Sequence, residues 1–244
     1  LRLVSSGPGG GVHDAATADD PATPWPPPPP AYAELHCRSN FSFLVGASHP
    51  GELVARAAQL GYEALAITDE CSVAGVVRAH EEWRRQRDAG SALRLIIGSR
   101  FEVEGDGEGD SATPACRLVL LARNREGYGD LCELITLGRL RAGKGGYRLS
   151  VRDFDTLPSD PAAPGHCRRA HGLPDCRALL IPRRDDDLAT LLAQAEWLRA
   201  SFAHAAVAVE RLMWADDSRL IERLDAVAAA TGLPLVASGD VLMH

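Results

Sequence analysis

Four places in the sequence put polar side chains capable of metal or acid–base chemistry directly after short apolar runs. They are His36 with Arg38, Asp69 with Glu70, Arg100 with Glu102, and Asp240 with Leu242 and His244. Side chains alternate along a strand, so positions 36 and 38 share a face, where two histidines would present two imidazoles to a cation. Here the second position is an arginine, which is always protonated and has no lone pair to donate. The pattern is that of a strand-end metal motif with one ligand replaced by a cation.

The apolar runs themselves predict seven strands, at residues 33–36, 64–68, 94–97, 117–122, 177–181, 205–209 and 235–237. Apolar residues at helical spacing lie between most of them. Ser48 is predicted as the N-cap of the first helix, Asn124 as the N-cap of a later one, and Gly232 as the stop of the last. Alternating strands and helices predict a parallel sheet, and about seven such units favour a closed barrel with its functional residues at the strand C-terminal ends.

Composition narrows the class of protein. The chain has 244 residues, of which 45% are hydrophobic and 24% charged, which is typical of one large or two small globular domains. No apolar run approaches the roughly 20 residues of a membrane span, and no secretory signal layout is present, so we expect no membrane partner and a cytoplasmic location. The six scattered cysteines indicate reduced thiols. The net charge of -7 argues against a free-standing nucleic-acid binder.

The first 31 residues differ in composition from the rest. They are rich in Gly, Ala, Asp and Pro and contain five consecutive prolines at positions 26–30, which favour an extended chain that joins neither helix nor central strand. We predict a disordered leader over residues 1–31 and a folded domain over residues 32–244. Segments 105–114 and 158–174 are predicted to be exposed loops, the first of them inside or beside a hairpin.

The polar strand ends lie within longer runs that resemble a known family. The runs are residues 32–36, 39–43, 46–48, 60–71, 96–98, 118–121, 126–128, 131–136 and 239–241. Together they are similar to the N-terminal PHP (polymerase and histidinol phosphatase) domain of bacterial C-family DNA polymerases, in particular the error-prone, second DnaE-type translesion enzymes. The resemblance covers roughly residues 31 to 244, so it is far more specific than a single short motif.

This resemblance implies a distorted seven-stranded β/α barrel, similar to a TIM barrel, whose strand ends can hold divalent metals. Active members are similar to metal phosphoesterases or proofreading exonucleases. His36, Asp69 and Asp240 match ligand positions of the family. The departures from the family pattern are Arg38 for the second histidine, Val45 for an aspartate, Glu70 for the histidine after Asp69, Arg100 for an acid, and Leu242 for the last histidine.

The expected loss of metal affinity favours a pocket that no longer binds metal. Loss of even an outer partner of a ligand typically costs about 10- to 100-fold in metal affinity, and here several ligands are absent and two are replaced by cations. We therefore predict a vestigial pocket in which salt bridges replace the metal charge, with no metal and no nuclease activity. Its predicted members are His36, Arg38, Asp69, Glu70, Arg100 and Asp240.

Two narrower expectations concern contacts inside this pocket. His36 and Asp240 are predicted to form a hydrogen-bonded pair, with a single residual metal as the open alternative. Glu70 is predicted to pair with Arg38 or Arg100, with a role as ligand or general base left open.

The resemblance also implies the function of a longer parent protein, a DNA-directed DNA polymerase used in DNA repair, lesion bypass and damage-induced mutagenesis. Its nucleotidyl transfer would depend on two Mg²⁺ ions in a palm domain that this chain does not contain. We expect no catalytic residue and no cofactor in this fragment, which would be a structural module. Expected partners are the remaining polymerase domains, primer-template DNA, the sliding clamp and accessory proteins of mutagenesis.

Two other functions remain open at this point. Intact H-x-H and D-x-H motifs would favour a free-standing metal-dependent phosphoesterase, and both motifs are broken. A non-functional gene fragment is the other alternative. A local basic run is either a solvated loop or a contact with the polymerase body or DNA; it consists of Arg139, Arg141, Lys144, Arg148 and Arg152.

Overall fold

The computed structural model describes residues 31–107, 113–155 and 172–244. The strands within them are β1 (Ala33–Cys37), β2 (Ala64–Ile67), β3 (Arg94–Val103), β4 (Cys116–Ala122), β5 (Cys176–Leu180), β6 (Ala205–Glu210) and β7 (Leu235–Ser238). The helices are α1 (Pro50–Gln59), α2 (Val76–Asp88), α3 (Arg125–Leu140), α4 (Arg152–Asp155), α5 (Leu188–Ser201) and α6 (Asp217–Thr231). The predicted leader, except for residue 31, and the centres of both predicted loops lie outside the described residues.

The seven strands form one sheet in the order β1 to β7, and its two edges meet. Cys37 at the end of β1 pairs with Val241 just after β7. The N–H of Arg38 donates to the Val241 carbonyl at 2.9 Å, and the N–H of Val241 donates to the His36 carbonyl at 2.9 Å. The predicted seven-stranded β/α barrel is therefore confirmed, as a sheet that is nearly closed.

The expectation of a parallel sheet is wrong at β4, which runs antiparallel to both β3 and β5. Among the described residues no helix lies between β3 and β4, and a strand that follows its neighbour without a crossover must run back along it. The other six strands run the same way. Their C-terminal ends consequently lie at one end of the barrel, which we call the rim.

Local signals place most of the helices correctly. Asn124 accepts a hydrogen bond from the Gly127 N–H at 3.0 Å, as predicted for an N-cap, and Gly232 ends α6 with a φ of 72°. The predicted N-cap Ser48 is wrong by one residue, because His49 precedes α1. Helix α2 had no predicted counterpart. Its only buried residue is Ala79, and most of its residues are polar or charged, so its short apolar stripe of Val76, Ala79 and Trp83 was overlooked in the sequence.

Strand side chains pack in two directions, as alternation requires. One buried set contains no helix residue and therefore fills the barrel interior; it comprises Leu35, Ala66, Val119, Leu121, Leu179, Ile181, Ala206 and Ala208. Other strand residues pack outward: Cys37, Leu65 and Ile67 lie against apolar residues of α1 and α2. This double packing fixes each strand end, and with it the side chains that reach the rim.

Candidate functional site

All six predicted pocket residues lie at the rim. His36 is in β1 and Arg38 follows it, Asp69 and Glu70 follow β2, Arg100 is in β3 and Asp240 follows β7. Four of them are buried, namely His36, Arg38, Asp69 and Arg100. Burial of charged side chains is costly unless each one is paired, so the pairing of these groups determines what the site can do.

On one side of the rim, four side chains form what we call the β1–β7 group: His36, Arg38, Glu210 and Asp240. His36 Nδ1 lies 2.6 Å from Glu210 Oε1, and Arg38 Nη2 donates to Asp240 Oδ1 at 2.5 Å. His36 Nε2 is 3.6 Å from Asp240 Oδ1, which is too long for a hydrogen bond. The predicted hydrogen-bonded pair of His36 and Asp240 is therefore wrong, because Arg38 takes the aspartate.

Two acids on this side of the rim were not identified from the sequence, namely Glu210 of this group and the neighbouring Glu34. Glu210 is the last residue of β6, and no motif marks it. Glu34 is buried in β1, where its carboxylate accepts hydrogen bonds from the N–H groups of His36 at 2.8 Å and Gly239 at 3.1 Å. Burial raises the pKa of Glu34, and its hydrogen bonds oppose this only partly. The one available signal was a glutamate inside an otherwise apolar strand.

Asp69 does not take part in the salt bridges that the sequence suggested. Its carboxylate accepts hydrogen bonds from the Ser39 N–H and Oγ, both at 2.8 Å, and from Ser42 Oγ at 2.7 Å. Three short donors satisfy a buried carboxylate without a cation. Asp69 thus anchors the loop that follows β1.

On the other side of the rim, Arg100 connects two acids. Its guanidinium donates to Glu70, and its Nη2 donates to Glu102 Oε1 at 2.5 Å. Tyr147 also donates its hydroxyl to Glu70 and accepts the Glu102 N–H at 2.6 Å. Burial lowers the pKa of Arg100, but the two glutamates raise it more, so the pKa lies above its ordinary value. Arg100 is therefore a fixed cation.

Glu102 completes this second set, which we call the β3 group: Glu70, Arg100, Glu102, Arg117 and Arg183. Besides Arg100, Glu102 binds Arg183 at 2.5 Å and Arg117 at 3.1 Å. Burial raises the pKa of Glu102, but the three arginines outweigh it and lower the pKa to about 2. The carboxylate stays ionised and occupied, so it is not available as a base.

The residues of the rim do not fit a metal cluster. Among the described residues, no three His, Cys, Asp or Glu side chains converge in a way that could hold an ion. Arg38 and Arg100 bring positive charge to two ligand positions, and their buried Nε atoms have no protein acceptor. A cation would meet N–H donors where it requires lone pairs.

Cavities beside the rim are small, and the pocket acids in their walls are already paired. One of about 280 Å³ has Glu70, Glu102 and Arg183 in its wall. Another of about 290 Å³ lies against Glu210 and Asp240. Glu70 and Glu102 in the first cavity are bound by arginine, and Glu210 and Asp240 in the second are bound by His36 and Arg38, so none of these four acids is available as a base.

The basic run is largely neutralised within the domain. Arg139 donates to the backbone carbonyls of Glu70 and Cys71, at 3.3 and 3.1 Å. Lys144 is exposed. The other three pair with acids, as Arg141–Asp153, Arg148–Glu104 and Arg152–Asp106. Paired arginines release fewer counterions on binding DNA, which disfavours a phosphate-binding function for this run.

Comparison with known proteins places the chain in a family. The profile of the PHP domain matches residues 34–159. The error-prone DNA polymerase of Ralstonia nicotianae is 52% identical over 224 residues, which cover 91% of this chain and 19% of the relative. That of Bordetella parapertussis is 50% identical over 216 residues, covering 88% and 19%. The chain thus spans about a fifth of the length of these relatives.

Solved structures agree on the fold. An amidohydrolase from Chromobacterium violaceum, with bound sulfate and no metal, superposes with a TM-score of 0.54 at 17% identity, covering 87% of this chain and 88% of that one. A protein from Bifidobacterium adolescentis assigned as a metal-dependent phosphoesterase gives 0.51 at 16% identity, covering 88% of each chain. Identities this low support the fold alone. With the barrel, the rim positions and the profile in agreement, the chain belongs to the PHP domain family.

Proposed function

We propose that this chain is a structural PHP module of an error-prone DNA-directed DNA polymerase that acts in DNA repair, translesion synthesis and damage-induced mutagenesis. The observation that carries the proposal is the 52% identity to such a polymerase over 91% of the chain. Since the match spans only 19% of that relative, nucleotidyl transfer and its Mg²⁺ ions belong to the remaining domains.

Partners follow from the same assignment. The remaining polymerase domains and primer-template DNA are the first, and the sliding clamp and accessory proteins of mutagenesis are further proposed partners, in the cytoplasm. No described helix has the length and apolar character needed to cross a membrane. With a net charge of -7 and a basic run that is mostly paired, the module leaves DNA binding to other domains.

Primer extension by a full-length protein that carries this domain tests the assignment. We expect Mg²⁺-dependent extension of a primed template, including templates with a lesion, from the full-length protein and none from residues 1–244 alone. A full-length protein that folds, binds primed DNA and fails to extend it would contradict the assignment.

The pocket is proposed to be metal-free and without hydrolytic activity. The support is that Arg38 and Arg100 occupy ligand positions and that Glu70, Glu102 and Asp240 are already bound by arginine. We expect elemental analysis of protein purified without chelators to find zinc and manganese far below one ion per chain. Stoichiometric metal, or manganese-dependent hydrolysis of a phosphomonoester by this chain, would instead favour a phosphoesterase.

A further inference from the structure

Apolar side chains are concentrated on the rim, outside the charged pocket. Of the thirteen large apolar side chains that are exposed among the described residues, eight lie in segments that follow β1, β6 or β7. Leu44 is 89% exposed and Phe43 is 83% exposed. We define the β1-loop patch as Phe41, Phe43, Leu44, Val45 and Met243. Single exposed apolar residues are ordinary, but a cluster of them marks an interaction site.

The loop that carries this patch is firmly held. The buried carboxylate of Asp69 binds Ser39 and Ser42 at its base. The Ala47 N–H donates to the Leu242 carbonyl at 2.8 Å, which ties the loop to the segment that carries Met243. A loop fixed in this way presents its apolar side chains with little cost of ordering its backbone on binding.

The backbone of the loop is also strained at one exposed position. Leu44 has a φ of 63°, a conformation that branched and bulky residues seldom adopt. At Gly46 an added Cβ would lie 2.0 Å from the Ser39 carbonyl oxygen, so only glycine fits the turn. Strain of this kind at an exposed leucine contributes nothing to the core and is typical of binding segments.

We infer that the β1-loop patch docks on an apolar surface of the remaining domains of the same polymerase chain. This inference rests on the proposed function, and the length of the relatives supplies the occupant, because most of each polymerase lies outside the region matched here. Residues 41–45 contain no charged side chain, which favours an apolar protein surface over a phosphate backbone.

Patch size favours an attached domain over a separate partner. Five side chains cannot supply the roughly 800 Å² per partner that a stable complex between separate chains buries. A domain in the same polypeptide docks at a high effective concentration, so a small patch is sufficient. A second copy of this chain would have to bind through the same small area without that advantage.

Hydroxyl-radical footprinting of the full-length polymerase tests the docking directly. Leu140 is the matched reference, because it is 79% exposed at the end of α3 and lies outside the patch. We expect Leu44 to be labelled several-fold less than Leu140 in the monomeric full-length protein. Equal labelling would overturn the inference, as would protection of Leu44 that disappears on dilution, since that result would indicate a second copy.

A pair of variants adds an energetic readout. In the full-length protein, F43S/L44S should lower the unfolding temperature and increase labelling of Met243, whereas L140S should do neither. Identical behaviour of the two variants would overturn the docking. Primer extension by the unaltered protein separates the docking from the proposed function. If the full-length protein extends primers but Leu44 is unprotected, only the docking is rejected. If the full-length protein is inactive, the proposed function is rejected, and with it the proposed docking partner.

Discussion

The two sides of the rim pocket hold their charges differently. In the β1–β7 group one arginine, Arg38, faces Asp240, and no other arginine pairs with Asp240 or Glu210 within the described residues. In the β3 group three arginines converge on Glu102, and Arg100 also binds Glu70. The β1–β7 group therefore depends on one arginine, whereas in the β3 group two further arginines stay on Glu102 if Arg100 is lost. Two ways of pairing the charges of one polar pocket coexist in one barrel.

Replacing each arginine by alanine should expose this difference. We expect R38A to lower the free energy of unfolding by about 3 to 5 kcal/mol, because it leaves Asp240, whose side chain is only 18% exposed, without its arginine. R100A should cost about 2 kcal/mol, since Glu102 keeps Arg117 and Arg183 and is partly solvated. Chemical denaturation of this chain measures both values.

Controls for these two variants come from the same chain. R85A removes an exposed pair with Glu82 and should cost less than about 1 kcal/mol. The double variant R38A/D240N should be more stable than R38A alone, because it also removes the uncompensated acid. If R100A lowered the free energy of unfolding by as much as R38A or more, the idea that Arg117 and Arg183 compensate for the loss of Arg100 would be refuted.

The smallest expected effect is the part of the pH dependence that Glu102 of the β3 group contributes. The pKa of Glu102 falls from an ordinary value of 4.5 to about 2, so its contribution is present above pH 4.5 and is lost as the pH falls towards 2. Its side chain is 39% exposed, so solvent screening reduces the contribution to about 1 kcal/mol. We expect E102Q to remove this part of the acid sensitivity, measured by unfolding between pH 5 and pH 2.

Glutamine at position 34 is the matched control for that titration. Burial raises the pKa of Glu34, so this group favours folding at low pH and opposes it as the pH rises above 4.5. E34Q should therefore leave the loss of stability below pH 4.5 in place. If E34Q reduced the loss of stability below pH 4.5 and E102Q did not, the assignment of this pH dependence to Glu102 would be wrong.

Much of the fold followed from short-range patterns. All seven predicted strands exist, because buried strands require apolar runs. The third is longer than predicted: β3 continues to Val103 through Gly98 and Arg100, which interrupt the apolar run. The direction of β4 depends on its connection to β3, in which no described residue is helical. The local pattern of each strand carries no information about that connection. Helix α2 is mostly polar and charged, so the helical spacing of its few apolar residues, Val76, Ala79 and Trp83, was overlooked.

The pocket was predicted mainly as a set of residues. Of its two predicted contacts, the pairing of Glu70 with Arg100 is confirmed, and the hydrogen bond between His36 and Asp240 is absent. Strand-end positions brought His36, Arg38, Arg100 and Asp240 to one rim, as the alternation of strands implies. The partners Glu210 and Arg183 were not predictable, because Glu210 lies 174 residues from His36 and Arg183 lies 81 residues from Glu102. No spacing rule connects groups so far apart in the chain.

By itself, the sequence determined the family and the barrel, and it predicted a pocket poorly suited to metal, because these depend on residue types at positions that the strands define. Arginine cannot donate a lone pair in any environment. Only the tertiary structure decided which acid meets which arginine, that Asp69 holds a loop through serines instead of a cation, and that this loop carries an apolar patch. Those outcomes depend on distances of a few ångströms between strand ends, which closure of the sheet sets.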